Sequence, residues 1–347
     1  MNEAKAEDKT AAPAVTVAVV AYRSGATLAA CVERLAQQSF SDFELVLVDN
    51  ASPELEAQPV ASAWPFARLI ENADNLGFAA AMNQAARAGR GRWLALLNPD
   101  AFPQADWLER LVDAAERHTT IKAFASRQLM DEDPTILDGL GDVMGGPCIP
   151  YRGGYRRRDP GDTPEGLVFS ACGGAMLIDR ALFLAQGGFD ERFFCYCEDV
   201  DLGYRLQLAG EPTLLVPAAV VRHVGSASSG GPRSDFAVFH GVRNRFWVLV
   251  KDTPWPLLPL VLPLHVLAQT VISIIQPENR RQIGLTLKAY GAALKGLGPI
   301  LKSRRQVQAD RKASTWRIAR AMTWNPLDLA GRRAVIRPIA PSPPTAP

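Results

Sequence analysis

Short, almost wholly apolar runs alternate with helix-like segments through the first third of the chain. The runs lie at residues 15–22, 43–48 and 69–70 and at Trp93–Leu97. Helical patterns lie at residues 28–37, Phe78–Ala88 and 107–118. Runs of this length that end at Gly, Pro or polar residues predict β-strands. Strands apolar on both faces, alternating with helices, predict an α/β fold with a mostly parallel sheet flanked by helices.

The middle of the chain breaks this alternation. Residues 130–166 are dense in Gly, Pro and Arg, which predicts either a lid over the carboxyl edge of the sheet or an ordinary solvated loop. Strand patterns return at 168–179 and 214–216, with an acidic segment and a helix between them. A further helix is expected over residues 237–250.

The last hundred residues predict a helical appendage. Residues 255–275 are apolar over about the length that spans a bilayer, but Pro256, Pro259 and Pro263 indicate a broken, interfacial element. Over residues 283–301, apolar side chains recur at helical spacing, Pro299 is expected to kink the end, and lysines flank the stripe. The stripe consists of Ile283, Leu287, Tyr290, Leu294, Leu297 and Leu301, and the lysines are Lys288, Lys295 and Lys302.

Charge is distributed unevenly along the 347 residues, whose net charge is +2. Residues 278–320 hold 11 Lys and Arg against 2 acidic residues, a net charge of +9, so the remainder carries −7. An apolar stripe with basic flanks predicts binding to a membrane surface; packing on the catalytic part or on a second subunit of a homo-oligomer is the alternative. The segment contains no recognised nucleic-acid module, so no nucleic-acid partner is expected.

Cysteine usage and the amino terminus predict a cytoplasmic location. The five cysteines form no regular framework, which is typical of reduced thiols. Residues 1–14 are polar and lack the apolar core of a signal peptide.

Two carboxylate centres are candidates for chemistry. Asp100 follows a predicted strand end, where α/β sheets bind ligands, and one carboxylate there suits Mg²⁺ or Mn²⁺ shared with a diphosphate; the alternative is a helix cap. Glu198, Asp199 and Asp201 lie beside aromatic residues, and like charges in an apolar site raise a carboxyl pKa toward that of a general base. Acids that complement a helix dipole are the alternative there.

Weaker candidates accompany them. His223 could ligate the same cation or be structural, and Arg243 could neutralise a diphosphate or pair with surface acids. The turn from Asn75 to Gly77 opens a predicted helix, whose backbone N–H groups favour anions. It is neither a dinucleotide fingerprint nor a P-loop.

In this order the segments resemble the family 2 glycosyltransferases with the GT-A fold, and most of all their bacterial rhamnosyltransferase branch. The resemblance covers residues 15–251. It is carried by Ala21-Tyr22, Val48-Asp49-Asn50-Ala51-Ser52, Asn75-Leu76-Gly77-Phe78 with Asn83, Leu97-Asn98-Pro99-Asp100-Ala101, Gly173-Gly174-Ala175-Met176-Leu177-Ile178, Gly188-Phe189-Asp190 with Glu198-Asp199-Val200-Asp201-Leu202, and His223 with Arg243-Asn244-Arg245.

The resemblance implies roles for these residues. Asp199 would be the general base, with Glu198 beside it, and Asp100 with His223 would hold Mg²⁺ or Mn²⁺. Asn98 replaces the first acid of the common Asp-x-Asp pattern. The donor-binding residues would be Ala21, Tyr22, Asp49, Asn75, Gly77, Asn83, Asn98, Gly173, Gly174 and Arg243.

The function implied is inverting transfer of a sugar from a nucleotide-sugar donor, with L-rhamnose from dTDP-rhamnose as the first choice. The acceptor would be a glycan or polyprenyl-diphosphate-linked hydroxyl in bacterial cell-wall or O-antigen assembly. A UDP-hexose or galactofuranosyl transferase, and a non-catalytic nucleotide-sugar-binding scaffold, are the alternatives. The expected organisation is a disordered amino terminus (1–14), a GT-A catalytic domain (15–252), an amphipathic basic appendage (253–330) and a disordered tail (331–347). The protein is expected on the inner face of the cell membrane.

Overall fold

The computed structural model describes residues 12–225, 234–275 and 283–339. Ten strands of the described chain form one mixed sheet, along which eight run in the order β10-β12-β6-β11-β4-β1-β2-β3, while β5 pairs with β12 and β7 with β6. The strands are β1 (Val15–Ala21), β2 (Phe43–Asp49), β3 (Ala67–Glu71), β4 (Trp93–Leu97), β5 (Ala101–Pro103), β6 (Ala123–Met130), β7 (Leu137–Leu140), β8 (Asp142–Met144), β9 (Pro150–Arg152), β10 (Gly166–Val168), β11 (Ala175–Asp179) and β12 (Thr213–His223).

Helices cover both faces of this sheet and continue beyond it. They are α1 (Gly25–Ala36), α2 (Ala57–Ser62), α3 (Phe78–Ala88), α4 (Trp107–Arg117), α5 (Arg180–Ala185), α6 (Glu198–Ala209), α7 (Asp235–Asp252), α8 (Leu258–Ile275), α9 (Ile283–Lys295), α10 (Leu297–Ala309), α11 (Thr315–Ala321) and α12 (Pro326–Gly331). The predicted α/β architecture is thereby confirmed.

The sheet direction explains where polar residues gather. β4, β1, β2 and β3 are parallel, and β12 is parallel to β6. β11 lies antiparallel between β4 and β6, so its amino end meets the carboxyl ends of its neighbours. One edge of the sheet therefore collects the residues that follow β1, β2, β4 and β12 and those that precede β11.

Two apolar layers hold the sheet. On one face α1 and α4 bury Leu28, Leu35 and Trp107 against β1, β2 and β4. On the other face α3 buries Met82, and Phe183 packs with it. Every residue of β1 is buried, as its continuous apolar sequence predicts.

The region 130–166 is not the solvated loop that its composition allowed, because it contains short paired strands. β7 pairs with β6, and β8 pairs with β9. Most residues of β7, β8 and β9 are buried. Strands of three or four residues are too short to show a hydrophobic period, which is why the pattern was missed.

The carboxyl-terminal helices differ from the single kinked helix predicted over 283–301. The helix ends at Lys295 and another begins at Leu297; between them Gly296 lies so close to the Trp247 ring that a Cβ would be 2.5 Å from it. Small residues, Ala289 and Ala293, are buried against the protein. Leu287 and Leu294 of the predicted stripe instead stay 67% and 57% exposed.

The predicted disordered tail must also be corrected in part. Residues 332–339 return to the sheet edge, where the backbones of Arg337 and Leu167 exchange hydrogen bonds of 2.7 and 2.8 Å. Ile336 packs against the core. Residues 1–11 and 340–347, which were expected to be disordered, lie outside the described residues.

Candidate active site

The ends of β4 and β12 bring Asp100 beside His223. Asp100 Oδ1 lies 3.3 Å from His223 Nε2, and Asn98 Nδ2 lies 3.3 Å from the same ring nitrogen. Asp100 and His223 are both buried. Burial alone would lower the pKa of His223, but hydrogen bonds to Asp100 and Asp138 raise it to about 9. The two residues predicted as metal ligands therefore lie side by side.

Asp138 holds the other side of the His223 ring. His223 Nδ1 lies 2.7 Å from Asp138 Oδ2, and Arg152 donates a hydrogen bond to the same carboxylate. Burial would raise the pKa of Asp138, but the charges of Arg152 and His223 keep it below its ordinary value. A carboxylate on one ring nitrogen fixes the imidazole so that the other nitrogen faces the site.

Asp138, Asp142 and Arg152 are site residues that sequence reasoning missed. Asp142 is buried, and its pKa is raised well above the ordinary value by burial and then by the charge of Asp199. Arg152, whose side chain is 31% exposed, pairs with Asp138 and lies opposite Asp142 in the register of β8 and β9. Its arginine-rich segment was noticed, but isolated acids in a glycine-rich stretch have no pattern that sequence analysis could use.

Asp199 lies at the start of α6 and faces the glycines before β11. Its Oδ2 accepts a 2.8 Å hydrogen bond from Gly173 N, and its Oδ1 accepts one of 2.8 Å from Val200 N. A Cβ at Gly173 would lie 3.3 Å from the Asp199 Cβ, so the glycine permits this approach. The carbonyl of Gly174, the next residue, accepts a 2.9 Å hydrogen bond from Asn98 N. Gly173 and Gly174 thus connect the segment of Asp199 with the segment of Asp100.

Glu198, the neighbour of Asp199, points into the protein. It is buried, and its Oε2 has no hydrogen-bond partner within the described chain. Burial, and then the charge of Asp199, raise the pKa of Glu198 well above its ordinary value. Glu198 therefore keeps its proton to a higher pH than an ordinary Glu, while Asp199 is the less buried of the two carboxylates.

The loop before Glu198 has an unusual backbone. Phe194, Tyr196 and Cys197 have φ values of +66°, +70° and +65°, a region that non-glycine residues seldom adopt. Asn244, fully buried on α7, holds this loop: its Nδ2 lies 2.9, 2.9 and 2.7 Å from the carbonyl oxygens of residues 193, 195 and 196. The sequence showed Asn244 within a motif but gave no sign of this contact.

The ends of β1 and β2 form the other half of the edge. Asp49 is buried at the end of β2, and its Oδ1 accepts a 2.8 Å hydrogen bond from Ser52 N. Ala21 is the last residue of β1, and its carbonyl accepts a 2.9 Å hydrogen bond from Asn50 N. Tyr22 follows half-buried. These residues, predicted to bind the donor base, share one strand edge.

The turn before α3 lies next to this edge. Asn75 Oδ1 accepts from Asn50 Nδ2 at 2.8 Å and from Gly77 N at 2.9 Å. Gly77 has a φ of +84°, and a Cβ there would lie 2.6 Å from the Phe194 ring. The glycine therefore lets the turn pack against the loop that precedes Glu198.

Two predicted donor-binding residues have structural contacts instead. Asn83 is buried on α3, where its side chain forms two 2.8 Å hydrogen bonds with the backbone of Phe189. Arg243 donates a 2.9 Å hydrogen bond to the Phe193 carbonyl, and its Cζ lies 4.5 Å from the centroid of the Trp247 ring. Both assignments must be corrected, because these polar atoms are engaged inside the protein.

Asp100 and His223 have the chemistry of a divalent-cation site that is completed by its ligand. A carboxylate oxygen suits Mg²⁺ or Mn²⁺, and the imidazole held by Asp138 has the outer-shell partner common to metal-binding His. His223 would bind a cation through Nε2 after losing the proton from that nitrogen. Within residues 12–225, 234–275 and 283–339, no group of three or more His, Cys, Asp or Glu is arranged to hold a metal alone. The diphosphate of a nucleotide would have to supply the remaining oxygens.

The chain is similar to known glycosyltransferases. The family model of glycosyl transferase family 2 matches residues 16–183. The N-acetylglucosaminyl-diphospho-decaprenol L-rhamnosyltransferase of Mycobacterium tuberculosis is 31% identical over 251 residues, which cover 65% of this chain and 80% of that protein. The O-antigen biosynthesis protein RfbC of Myxococcus xanthus is 27% identical over 303 residues, 82% of this chain and 22% of that protein.

Solved structures with low sequence identity share the fold. GalNAc-T7 with UDP, GalNAc and Mn²⁺ superposes with a TM-score of 0.59 at 16% identity, covering 85% of this chain and 58% of that one. The mannosyltransferase PcManGT from Pyrobaculum calidifontis, with GDP-Man and Mn²⁺, gives a TM-score of 0.52 at 18% identity, covering 90% and 86%.

Proposed function

Since the chain belongs to glycosyl transferase family 2 and is a glycosyltransferase of the GT-A fold, we propose that it transfers L-rhamnose from dTDP-rhamnose, with inversion, to a hydroxyl of a lipid-linked glycan. The observation that carries the acceptor class is the similarity to a rhamnosyltransferase whose acceptor is N-acetylglucosaminyl-diphospho-decaprenol, over 80% of that protein. Transfer to a polysaccharide, and transfer from a UDP-hexose or UDP-galactofuranose, are the alternatives.

Asp199 would act as the general base. Its two hydrogen bonds from backbone N–H groups orient the carboxylate, and Asp199 is only half-buried, whereas its neighbour Glu198 is buried. Asp199 would take the proton of the acceptor hydroxyl as that oxygen attacks the anomeric carbon from the side opposite the nucleotide. One displacement inverts the configuration.

Asp100 and His223 would bind a divalent cation, Mg²⁺ or Mn²⁺. The cation would in turn bind the donor diphosphate. When bound, such a cation stabilises the charge that grows on the leaving diphosphate. Asp49 and the end of β1 would hold the base of the nucleotide. Asp199 at the start of α6 would be the proton acceptor, and Asp100 with His223 would define the leaving-group site, because an in-line displacement requires two separate centres.

Nucleotide release tests the activity. Wild type with Mn²⁺, dTDP-rhamnose and a short-chain polyprenyl-diphosphate GlcNAc acceptor should release dTDP, whereas Asp199→Asn should lose release by about 100-fold or more while still binding dTDP. Equal release by both proteins would remove Asp199 from the mechanism. Asp235→Asn, a change of the same kind at the start of α7, is the matched control.

A thermal-shift panel of dTDP-, UDP- and GDP-sugars tests the donor. Stabilisation by dTDP-rhamnose above the other donors is expected. Stabilisation by GDP-sugars alone would reject rhamnose, and stabilisation by UDP-sugars alone would favour the alternative donors.

We also propose that the part of the chain from 253 to 330 rests on the cytoplasmic face of the membrane, next to the catalytic part at 15–252. One described helical segment, 255–273, is long and apolar enough to cross a membrane, with a mean hydropathy of 1.6. However, Val261, His265 and Gln269 form a buried stripe against the protein, which favours a helix lying at the surface. Trp255 and Trp316 are 74% and 70% exposed, as side chains of a membrane interface are.

Co-sedimentation with vesicles tests this location. The protein should bind vesicles with anionic lipid at low salt, and Leu267→Glu, which adds a charge to the exposed face of α8, should weaken binding. No binding by wild type would reject the membrane proposal and would favour packing against a second copy.

A further inference from the structure

An arginine cluster includes the site residue Arg152, and its other three members lie outside the residues that the mechanism uses. Arg152 ends β9, Arg156 follows it in a tight turn, Arg245 lies on α7 and Arg332 follows α12. Tyr155 is the shared contact: its ring centroid lies 4.9 Å from the Arg332 Cζ and 5.7 Å from the Arg156 Cζ. Two guanidinium groups thus share one aromatic ring.

The cluster lacks the acids that would neutralise it. Among described residues no carboxylate forms an ion pair with Arg156, Arg245 or Arg332; Arg152 alone pairs, with Asp138. Burial lowers the pKa of Arg332, and repulsion from Arg156, Arg152 and Arg245 lowers it further, against Tyr155. Like charges that crowd without a counter-ion indicate a site for an anion.

The backbone fixes this crowding. Gly154 N donates a 2.7 Å hydrogen bond to the Arg332 carbonyl, and Leu140 N donates a 2.9 Å hydrogen bond to the Gly153 carbonyl. Arg332 itself has a φ of +48°, a conformation unusual for a residue with a side chain. Two segments far apart in sequence are therefore joined where their arginines meet.

The cluster is joined to the proposed metal site on one side and lies near the apolar helices on the other. Arg152 donates to Asp138, the carboxylate that holds His223, and the backbone of Leu137, next to Asp138, forms hydrogen bonds with Arg156 and Arg157. At the other end Phe246, the residue after Arg245 on α7, packs against His265 of α8 and Tyr290 of α9, with ring centroids 6.3 and 5.7 Å apart.

We propose that Arg156, Arg245 and Arg332 bind the diphosphate of the lipid-linked acceptor. This inference rests on the proposed function, because it assumes an acceptor carried on a lipid diphosphate. A diphosphate between sugar and lipid carries two negative charges, which suit guanidinium groups that have no acid of their own. Its sugar would then face Asp199 while its lipid chain runs toward α8.

Arginines next to Asp138 could also serve the donor diphosphate, so the test must separate the two sources. The full-length chain is first saturated with dTDP and Mn²⁺, which fills the donor site. Binding of farnesyl diphosphate is then measured by calorimetry, with farnesol as the uncharged probe. Arg158→Gln is the matched control, because it removes one positive charge from the same exposed turn without touching Tyr155.

Arg332→Gln and Arg156→Gln are each expected to raise the Kd of farnesyl diphosphate about tenfold, as loss of a charge-assisted hydrogen bond does. The Kd of dTDP should change less than twofold, and Arg158→Gln should have no effect. Arg245→Gln should also raise the Kd, but Arg245 is half-buried, so this change could disturb folding. Arg156 and Arg332 are exposed, and their variants test the site without that complication.

Three results would overturn the inference. Farnesol binding as tightly as farnesyl diphosphate would remove the role of charge. An equal loss in Arg158→Gln would reduce the site to diffuse attraction, and a loss of dTDP binding alone would assign the arginines to the donor. If the arginine-dependent binding holds but no sugar reaches a farnesyl-diphosphate GlcNAc acceptor, the proposed function fails while the diphosphate site stands.

Discussion

Replacement of Asn244 by Ala should damage both stability and turnover, because this side chain holds the strained loop that positions the catalytic acids. Its two N–H hydrogens are shared among three carbonyl oxygens at 2.7 to 2.9 Å. Each buried hydrogen bond contributes about 1 kcal/mol net, and an unsatisfied buried carbonyl costs about 1–3 kcal/mol. Asn244→Ala should therefore lower the free energy of unfolding by about 2–4 kcal/mol.

The same change should slow catalysis through the backbone. Phe194, Tyr196 and Cys197 have positive φ values, and left-handed backbone costs about 1–2 kcal/mol for each non-glycine residue. Once the amide is gone this loop is free to relax, and it leads directly into Glu198 and Asp199. We expect kcat to fall by about 10- to 100-fold, since displacement of about 1 Å at a catalytic group has effects of this size.

Urea unfolding and steady-state kinetics measure the two effects. Asn83→Ala is the matched control: it also removes a buried Asn with two backbone hydrogen bonds, but its partner is Phe189. It should lose about 1–3 kcal/mol and keep its donor KM. If Asn244→Ala loses less than about 1 kcal/mol or keeps the wild-type kcat, or if Asn83→Ala loses turnover as severely, the reasoning on this loop is wrong.

Three further changes test the site and its support. Asp138→Asn should raise the Mn²⁺ concentration for half-maximal activity by about tenfold, because the carboxylate orients His223; an unchanged Mn²⁺ titration would contradict this. Asp100→Ala should lose turnover far more severely than Asp138→Asn, and an unchanged Mn²⁺ titration with wild-type turnover would exclude Asp100 as a ligand. Lys251→Met should cost about 3–5 kcal/mol at pH 7 by removing the buried partner of Asp190. Burial would raise the pKa of Asp190 but Arg192 and Lys251 hold it low, so this stabilisation is present above pH ~4 and is lost as pH falls; the gap between variant and wild type in urea unfolding should narrow in acid.

The sequence could predict the strands that are buried on both faces and the residues at their ends. β1, β2 and β4 appear where continuous apolar runs lie. Asp100 and His223 could be predicted to meet because parallel strands end at one edge. Such inferences succeed because they depend on local pattern and on topology alone.

What the sequence could not predict depends on contacts between distant segments. Asp138 and Arg152 come from strands too short to show a period. Arg243 was assigned to the donor because a cation in a motif suggests an anion, whereas Trp247 and a loop carbonyl engage it. The stripe over residues 283–301 predicted one helix, but close packing of Gly296 on Trp247 divides it.

The return of the chain to the sheet has a consequence for how the helical part moves. Arg337 pairs with Leu167 on β10, the outermost strand of the sheet. The helices from α8 to α12 are therefore attached to the catalytic part at both ends. A segment fixed at two points cannot move freely relative to the catalytic part. The fold therefore sets the distance between the candidate active site and a membrane surface that the helices contact. Proteolytic removal of the last described residues would release one anchor and uncover an unpaired strand edge, which makes the protein prone to aggregate.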